Sequence, residues 1–346
     1  MNYTMKDFFA VIILFLIFLF NGCATVEKEK ASVGTGHTFW DLRKHTFSSS
    51  KATRNTFFDV APSGKKLAFV LEKANNRNIY IKEVNGKAMT QKTFHKTDDS
   101  FPAISPDGKL LAFASRMNGN WDIFVMNMKK GKAKRQITSS SEDEIYPSWS
   151  PDGTKIAFCR FSKSSGQWGI WTFNLTNGAL TNLVPGKFPY YSPVENTIVF
   201  QRPSQSDESE RFYALWSIDD LGMEETIIAD SLEKGYINPS WSSDGNRVVF
   251  ASGGKWEKAE SIHKKKDGTY ELDEKDFGLE ANNIGIINKD GTGLIWLTSS
   301  KSRDSCPKWS KDDRIYFVSD RDKYLNIWSV TPVLVEPAPK KKAQKS

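Results

Sequence analysis

The sequence predicts an all-β fold in which six similar four-stranded antiparallel sheets form a ring. Three observations lead to this prediction. A short motif recurs six times, with a nearly constant spacing over the first four copies and insertions that lengthen the later ones. A typical copy divides into four strand-like segments, and the two ends of the repeated region complement each other. A repeat of about 40 to 50 residues with four strands is typical of a β-propeller, in which each copy is one blade. The prediction is therefore a six-bladed β-propeller over residues 41–335.

The recurring motif joins a short strand, a tight turn and a second, apolar strand. Its copies are FFDVAPSGKKLAF from Phe57, FPAISPDGKLLAF from Phe101, YPSWSPDGTKIAF from Tyr146, FPYYSPVENTIVF from Phe188, NPSWSSDGNRVVF from Asn238 and CPKWSKDDRIYF from Cys306. The first four turn prolines are 44, 45 and 42 residues apart: Pro62, Pro106, Pro151 and Pro193. Four large aromatic residues recur in one position and are expected to build a core between stacked sheets: Trp149, Tyr191, Trp241 and Trp309.

The second copy shows how one blade is built. FPAIS begins an extended segment, and the Ser-Pro-Asp-Gly sequence after it favours a tight turn because proline presets φ and glycine accepts a positive φ. KLLAFAS then reads as a strand buried on both faces, and WDIFVMN and RQITSSS read as the third and fourth strands. Asp107, Asp152 and Asp244 occupy turns of this kind, where a structural role explains them.

The sixth copy stops at Thr331-Pro332 without a fourth strand. The segment LRKHTFSSSKATRN, residues 42–55, precedes the first copy and resembles the fourth-strand segments AKRQITSSSEDE and GLIWLTSSKSRD. We therefore expect the N-terminal strand to complete the last blade, which would tie the two ends of the domain together and remove an exposed sheet edge. Closure through residues 333–335 is the alternative.

The first 22 residues are predicted to be a signal peptide. Thirteen uninterrupted apolar residues, 8–20, are too few for a comfortable membrane span of about 20 and suit a secretory hydrophobic region. The Gly-Cys pair that follows resembles the lipobox of bacterial lipoproteins, which implies that Cys23 carries the lipid. An uncleaved anchor or an ordinary secreted protein are the alternatives. Residues 23–40 read as a flexible tether, and the Lys- and Pro-rich residues 336–346 as a disordered tail.

These features predict a protein of the bacterial cell envelope that is anchored to a membrane through its lipid and faces the periplasm. Ala24 after the cysteine resembles the outer-membrane choice of the lipoprotein sorting rule. The net charge of +7 includes four lysines of the tail, so the remaining chain carries only +3. Because a nucleic-acid binder concentrates Lys and Arg on its folded surface, we expect no nucleic-acid partner, and we expect a monomer.

Motifs of catalysis and metal binding are scarce. The sequence contains no GxSxG nucleophile elbow and no HExxH pair. The three cysteines lie far apart, so neither a disulfide framework nor a zinc site is indicated, and Cys159 and Cys306 are expected to be buried apolar residues. The four histidines occupy different repeat positions and are interpreted as solvated: His37, His45, His95 and His263. We therefore predict no catalytic residues, no metal and no cofactor.

The repeats resemble a known family. SPDGKLLAFASRMNGNWDIFVMN, SPDGTKIAF with GIWTFN, and FVSDRDKYLNIW are similar to the repeat of TolB-type propellers, and the resemblance covers about residues 42–332. It implies a six-bladed propeller that acts in the cell envelope as a non-enzymatic scaffold for protein–protein interaction. Related propellers also stand beside hydrolase domains, and propeller lyases use a channel site. The alternative is therefore an enzyme with a channel site that acts on a glycan or peptide.

The candidate binding site is the rim of the central channel. The residues just before and at the start of each first strand are expected to surround one mouth of this channel and to bind an envelope protein or peptide. They are Asp99, Phe101, Glu144, Tyr146, Phe188, Tyr236, Asn238 and Asp304. The aromatic members have an alternative explanation, since they would also cover the core from above. The insertion at residues 253–282 reads as a polar hairpin whose role the sequence leaves open.

Overall fold

A computed structural model of the chain describes residues 39–48, 50, 52–129, 134–204, 212–231, 233–253, 281–299 and 301–334. Within these residues, 24 β-strands form six four-stranded antiparallel sheets. The first three blades follow one another along the chain. Blade 1 contains β2 (Thr53–Val60), β3 (Lys66–Lys73), β4 (Asn76–Glu83) and β5 (Met89–Gln91); blade 2 contains β6 (Asp99–Ile104), β7 (Leu110–Ser115), β8 (Asp122–Asn127) and β9 (Lys134–Gln136); blade 3 contains β10 (Asp143–Trp149), β11 (Lys155–Ser162), β12 (Gln167–Asn174) and β13 (Leu180–Pro185).

The last blade takes strands from both ends of the chain. Blade 4 contains β14 (Lys187–Tyr191), β15 (Thr197–Pro203), β16 (Tyr213–Asp219) and β17 (Glu225–Ala229); blade 5 contains β18 (Gly235–Trp241), β19 (Arg247–Gly253), β20 (Ala281–Asn288) and β21 (Ile295–Trp296); blade 6 contains β22 (Asp304–Trp309), β23 (Ile315–Ser319), β24 (Asn326–Pro332) and, at its outer edge, β1 (Phe39–Lys44). The predicted fold class is confirmed, including closure of the last blade by the N-terminal strand.

The first strand of each blade is innermost and contacts the first strands of both neighbours. These contacts run from β2 to β6, β10, β14, β18 and β22 and back to β2, which closes the ring. Because the strands within a blade alternate in direction, every connection from an outermost strand to the next innermost strand lies on one face of the ring, here called the connection face. The turns between the first and second and between the third and fourth strands lie on the opposite face.

The second strand of each blade forms the centre of the hydrophobic core. The LAF-like triplet of the repeat places one phenylalanine in each blade, and each is at most 1% exposed: Phe69, Phe113, Phe158, Phe200, Phe250 and Phe317. The four recurring aromatic residues Trp149, Tyr191, Trp241 and Trp309 are also buried, as expected. The burial of such large side chains between blades, each contributing roughly 2–3 kcal/mol, explains why a single four-stranded sheet gains stability from its neighbours.

The Ser-Pro-Asp-Gly turn has the structural role that the sequence predicts. In blade 2, the Gly108 N–H donates to the Ser105 carbonyl at 2.8 Å, and Gly108 has a φ of 69°. Asp107 accepts hydrogen bonds from the Ser105 hydroxyl at 2.7 Å and from the Lys109 N–H at 3.0 Å. These bonds lower the pKa of Asp107 to about 2. The carboxylate therefore organises the turn as an ionised acceptor.

The fourth strands are shorter than the sequence suggests. RQITSSS was expected to form one, but β9 ends at Gln136. Beyond it, the Thr138 hydroxyl accepts the Ile123 N–H at 2.8 Å, so a side chain replaces the backbone partner that a longer strand would supply. The same hydroxyl-to-third-strand bond recurs in four blades. The other three threonines are Thr46, Thr93 and Thr298, each 2.9 Å from its donor.

The N-terminal strand pairs antiparallel with β24, from Phe39 opposite Pro332 to Lys44 opposite Trp328. The prediction that the N-terminal strand completes the last blade is therefore correct. The strand itself, however, is Phe39–Lys44, and most of the predicted segment 42–55 lies after it. The residues that follow include the threonine motif rather than a strand. Because β1 begins at Phe39, the last two residues assigned to the tether belong to the blade.

A buried polar network fixes this closure. Arg314 donates to the Asp41 carboxylate at 2.7 Å and to the Asp41 carbonyl at 2.6 Å. Burial alone would raise the pKa of Asp41, but the hydrogen bonds from Arg43 and Arg314 lower it. A second contact joins Asn326 to the segment after β1, since the Asn326 Oδ1 atom accepts the Ser48 N–H at 2.7 Å. Both contacts join positions about 270–280 residues apart in sequence.

Several predicted features lie outside the described residues. They are the signal peptide 1–22, the lipid-attachment residue Cys23, the tether up to residue 38, His37, His263, the centre of the 253–282 insertion and the tail 336–346. Across the described ranges, the structure holds no helix with the length and apolar character needed to cross a membrane.

Arg314 gives a direct test of the closure. We expect Arg314→Met to lower the free energy of unfolding by about 2 kcal/mol, because the Asp41 carboxylate then loses its less exposed partner. Arg43→Met is the matched control. Arg43 pairs with the same carboxylate, but half of its side chain is exposed, so a change below about 0.5 kcal/mol is expected. Chemical denaturation measures both. Equal effects of the two substitutions would contradict the assignment of Arg314 as the anchor of the closure.

Candidate functional site

Every innermost strand carries a β-bulge near its middle. The pairing register with the second strand shifts there in all six blades. In five blades the bulged residue precedes a proline and has a φ between 51° and 59°: Phe101, Tyr146, Phe188, Asn238 and Cys306. Non-glycine residues in this region cost roughly 1–3 kcal/mol each. Since the same strain recurs around the ring, it belongs to the architecture, and it places the bulged residue of each blade at the central axis.

The bulged residues of blades 1–4 form a continuous arc of aromatic rings. The ring centroids are 4.4 Å apart for Phe57 and Phe101, 4.4 Å for Phe101 and Tyr146, and 4.1 Å for Tyr146 and Phe188. Tilted pairs of this kind contribute about 0.5–1.5 kcal/mol beyond the area they bury. Blades 5 and 6 place the smaller Asn238 and Cys306 at the equivalent positions. Aromatic rings therefore line only one side of the axis.

A cavity of about 60 Å³ lies on the axis. All six bulged residues and the residues that follow them line it, together with Tyr190 and Lys308. The lining combines aromatic rings and prolines with one amide, one thiol and one ammonium group. Among the described residues that line the cavity there is no carboxylate and no histidine.

Three polar side chains occupy the third position of the motif, two residues after the bulged one. Asp59, Tyr190 and Lys308 stand where the other blades have alanine or serine. The Lys308 Nζ atom lies 3.8 Å from the centroid of the Tyr190 ring. Asp59 accepts the Ile104 N–H at 2.7 Å. Burial raises the pKa of Asp59 to about 6, although the positive charge of Lys308 acts to lower it. Burial also lowers the pKa of Lys308. The axis therefore carries one acid and one base from different blades.

The structure brings half of the predicted rim residues to the cavity. Phe101, Tyr146, Phe188 and Asn238 line it. The other four lie within the blades. Glu144 and Asp304 are fully buried and paired, with Arg160 Nε 2.9 Å from Glu144 and Arg321 3.0 Å from Asp304. Asp99 is also fully buried, and Tyr236 packs on Phe250 at 4.8 Å.

The bulge explains this division. In a regular strand, residues i and i+2 share a face, so each carboxylate would point in the same direction as the bulged residue two positions later. The bulge breaks this alternation. Each acidic residue then faces its cross-strand partner on the second strand, as Glu144 lies opposite Arg160. The expectation of carboxylates beside aromatic residues at an open rim was therefore wrong in its geometry, although the aromatic members lie at the axis.

Phe57, Cys306, Asp59, Tyr190 and Lys308 were not among the predicted site residues. The signal for them was in the repeat alignment. Phe57 and Cys306 occupy the same motif position as the predicted Phe101, and the third motif position alternates between small and large polar residues. A search for the copies that depart from the repeat at this position finds Asp59, Tyr190 and Lys308.

The structure describes two of the histidines and two of the cysteines: His45, His95, Cys159 and Cys306. Within the described residues, no group of three or more His, Cys, Asp or Glu side chains has metal-binding geometry. His45 is 4% exposed and bonds to Ser329 Oγ at 2.8 Å, so the interpretation of this residue as solvated was wrong. Burial lowers its pKa to about 4, and the ring is neutral at pH 7. Cys159 and Cys306 are free and buried, as expected.

Two buried carboxyl groups, Asp122 of blade 2 and Glu144 of blade 3, influence each other's ionisation at the boundary between the blades. Asp122 Oδ1 and Glu144 Oε2 are both buried without a hydrogen-bond partner among the described residues. Burial and then the neighbouring charge of Glu144 raise the pKa of Asp122 to about 7. A proton on Asp122 that is donated to Glu144 gives both oxygen atoms a partner.

This pair predicts a pH-dependent effect of Asp122→Asn. In the unfolded chain Asp122 ionises near its ordinary value of 3.8, whereas in the folded chain it stays protonated up to about pH 7. The stability contributed by the neutral form is therefore present below pH 4 and is lost as the pH rises to 7. Asparagine cannot ionise. We expect the unfolding free energy of Asp122→Asn, relative to the native sequence, to rise by about 2 kcal/mol between pH 5 and pH 8. A difference that does not vary with pH would contradict the raised pKa of Asp122.

Comparison with known proteins identifies the repeat. The family model described as the TolB β-propeller domain matches residues 41–209. The chain is also similar to a TolB homologue of Chlorobaculum tepidum, with 31% identity over 68 residues, which are 20% of this chain and 16% of that protein. The chain contains a TolB-like β-propeller. This matched segment spans only about one sixth of the length of the curated relative.

Solved structures share the TolB-like fold. The crystal structure of TolB from Acinetobacter baumannii aligns with a TM-score of 0.53 and 22% identity, and the alignment covers 72% of this chain and 55% of TolB. The oligogalacturonate lyase of Vibrio parahaemolyticus aligns with a TM-score of 0.54 and 15% identity, covering 86% of this chain and 96% of the lyase. At these identities the likeness concerns the fold alone, which TolB and a lyase share.

Proposed function

We propose that this TolB-like propeller is a non-enzymatic lipoprotein of the bacterial cell envelope that acts as a scaffold for protein–protein interaction. The observation that supports a binding role is the axial cavity, whose lining is mainly aromatic and proline side chains and includes no carboxylate or histidine. Cleavage of a glycan or peptide needs a positioned acid or base at the substrate, and histidine and carboxylates supply it most often. The cavity instead offers apolar surface with a few polar groups, which is typical of a binding site.

The connection face is the surface that we assign to the partner. The bulged residues lie near the middle of each innermost strand, so the choice of face rests on exposed side chains. Two aromatic side chains on neighbouring connections of the same face are also widely exposed, Phe47 at 72% and Phe94 at 74%. Exposed aromatic side chains are enriched at protein interfaces because they bury a large area on binding.

Photo-crosslinking in cells tests this surface. We expect p-benzoylphenylalanine at position 94 to give one defined adduct with an envelope protein, and we expect Phe47→Asp to weaken that adduct at least threefold. Position 223 is the matched control, because Met223 is similarly exposed at 79% but lies in a turn on the opposite face. An adduct from position 223 alone, or from neither position, would contradict the proposal.

Lipid attachment to Cys23 is the second part of the proposal. It is supported by the Gly-Cys pair directly after thirteen apolar residues. In cells fed an alkyne-labelled fatty acid, we expect the native protein to incorporate the label and Cys23→Ala to incorporate none. The variant keeps Cys159 and Cys306, which controls for labelling of other thiols. Equal labelling of the two proteins, or an unlabelled native protein, would show that Cys23 is not the lipid site.

An enzyme with a channel site is the rival function. It is favoured by one observation, the presence of Asp59, Tyr190 and Lys308 on the axis, where the shifted pKa values of Asp59 and Lys308 suit proton transfer. Similarity of fold to an oligogalacturonate lyase is consistent with this alternative. Cleavage of an oligogalacturonide or a peptide that is abolished by Lys308→Met would decide for the enzyme.

A further inference from the structure

The axial cavity is asymmetric, and its polar groups lie on the side that the aromatic arc leaves open. Phe57, Phe101, Tyr146 and Phe188 line one side. The smaller Asn238 and Cys306 occupy the same position in blades 5 and 6, and Lys308 extends from blade 6. The cavity thus has an apolar half made of aromatic rings and a polar half made of an amide and an ammonium group.

The Asn238 side chain is buried without a partner. The residue is 6% exposed, and neither its Oδ1 nor its Nδ2 atom has a hydrogen-bond partner among the described residues. Its backbone is satisfied, because the Asn238 N–H donates to Gln201 Oε1 at 2.8 Å. Buried amides without a partner are rare, since an unmade bond costs free energy that folding does not recover. An unsatisfied amide that lines a cavity indicates a place for a ligand atom.

Lys308 provides a cation in the same cavity. Its Nζ atom stacks on the Tyr190 ring, and the nearby Asp59 carboxylate attracts its charge, although no salt bridge of Lys308 is found among the described residues. An ammonium group carries three donors, and a ring face satisfies only part of this capacity. The Asp59 carboxylate does not line the cavity, and one of its oxygens is occupied by the Ile104 N–H. Donor capacity therefore remains for a bound anion.

We propose that the axial cavity binds a carboxylate carried on a compact aromatic or apolar group. The carboxylate oxygens accept hydrogen bonds from Lys308 Nζ and Asn238 Nδ2, and the apolar group packs against the arc of Phe57, Phe101, Tyr146 and Phe188. A charge-assisted hydrogen bond is about twice as strong as a neutral one, so the ammonium fixes the orientation of the ligand. The positive charge of Lys308 also disfavours the binding of a metal cation.

The size of the cavity sets the size of the ligand. A volume of about 60 Å³ is less than half of the roughly 150 Å³ of a cavity that encloses benzene, so it holds the carboxylate and only part of the apolar group, and the rest of the ligand extends beyond the cavity. A small acid or the C-terminal residue of a peptide presents this chemistry equally well. The assignment does not rest on the scaffold proposal, because a small carboxylate fills the cavity without contact to Phe47 or Phe94.

Calorimetry on the full mature chain tests the assignment with benzoate as the probe and benzamide as its neutral isostere. We expect benzoate to bind at least tenfold more tightly than benzamide. Lys308→Met and Asn238→Asp should each weaken benzoate at least tenfold, the first by removing the cation and the second by adding a like charge. Lys289→Met is the control, since Lys289 is half exposed and pairs with Glu195 on the surface, and it should leave binding unchanged.

Melting temperatures separate loss of binding from loss of folding. If Lys308→Met does not fold, Asn238→Asp provides the test of binding. We expect this variant to fold, because aspartate, like asparagine, tolerates the positive φ of this position. A tetrapeptide that ends in phenylalanine distinguishes the two sources: binding of the free acid but not of its amide identifies a peptide terminus, and binding of benzoate alone identifies a small acid. No binding of benzoate to the native protein, equal affinity for benzoate and benzamide, or unchanged affinity in a folded variant would overturn the proposal.

Discussion

The pairing of β1 with β24 is the constraint on which the rest of the structure depends. Each blade covers one face of its neighbours, so an opened ring would expose the apolar faces of two blades at once. Because the outermost strand of blade 6 comes from the N-terminal end, the ring opens only if strand pairing and the Arg314–Asp41 contact are lost together. The central cavity exists only while six innermost strands surround the axis. Closure at the outer edge therefore maintains a site at the centre.

The parts of the fold that the sequence predicts are those determined by local patterns repeated in every copy. The apolar second strand and the Ser-Pro-Asp-Gly turn are specified by neighbouring residues, and both were located correctly. The outermost strands were harder because little of their surface is buried: in β9, no residue is fully buried, so no apolar alternation marks its end. The chain after β9 instead bonds through the Thr138 hydroxyl to Ile123 of the third strand, 15 residues earlier, and no local pattern predicts this contact.

The site was predictable to the extent that it follows the repeat. The copies show which motif position recurs, and that position does lie at the axis for Phe101, Tyr146, Phe188 and Asn238. The repeat does not show that the strand bulges there. Without the bulge, simple alternation would also bring Glu144 to the axis, whereas the structure buries it beside Arg160. A shift of one residue in pairing thus separates the residues that can meet a ligand from those that hold the blades together.

The third motif position shows how a repetitive scaffold acquires a specific chemistry. Three blades have alanine or serine there, which is sufficient for the fold, whereas blades 1, 4 and 6 have Asp59, Tyr190 and Lys308. Packing alone gives no reason for these exceptions, because buried charges lose hydration and an apolar replacement is often as stable or more stable. The raised pKa of Asp59 and the lowered pKa of Lys308 both reflect this loss. Asp59 recovers part of this cost by accepting the Ile104 N–H of the next blade, whereas Lys308 lines the cavity beside the unsatisfied Asn238 amide, where a ligand can offset its cost.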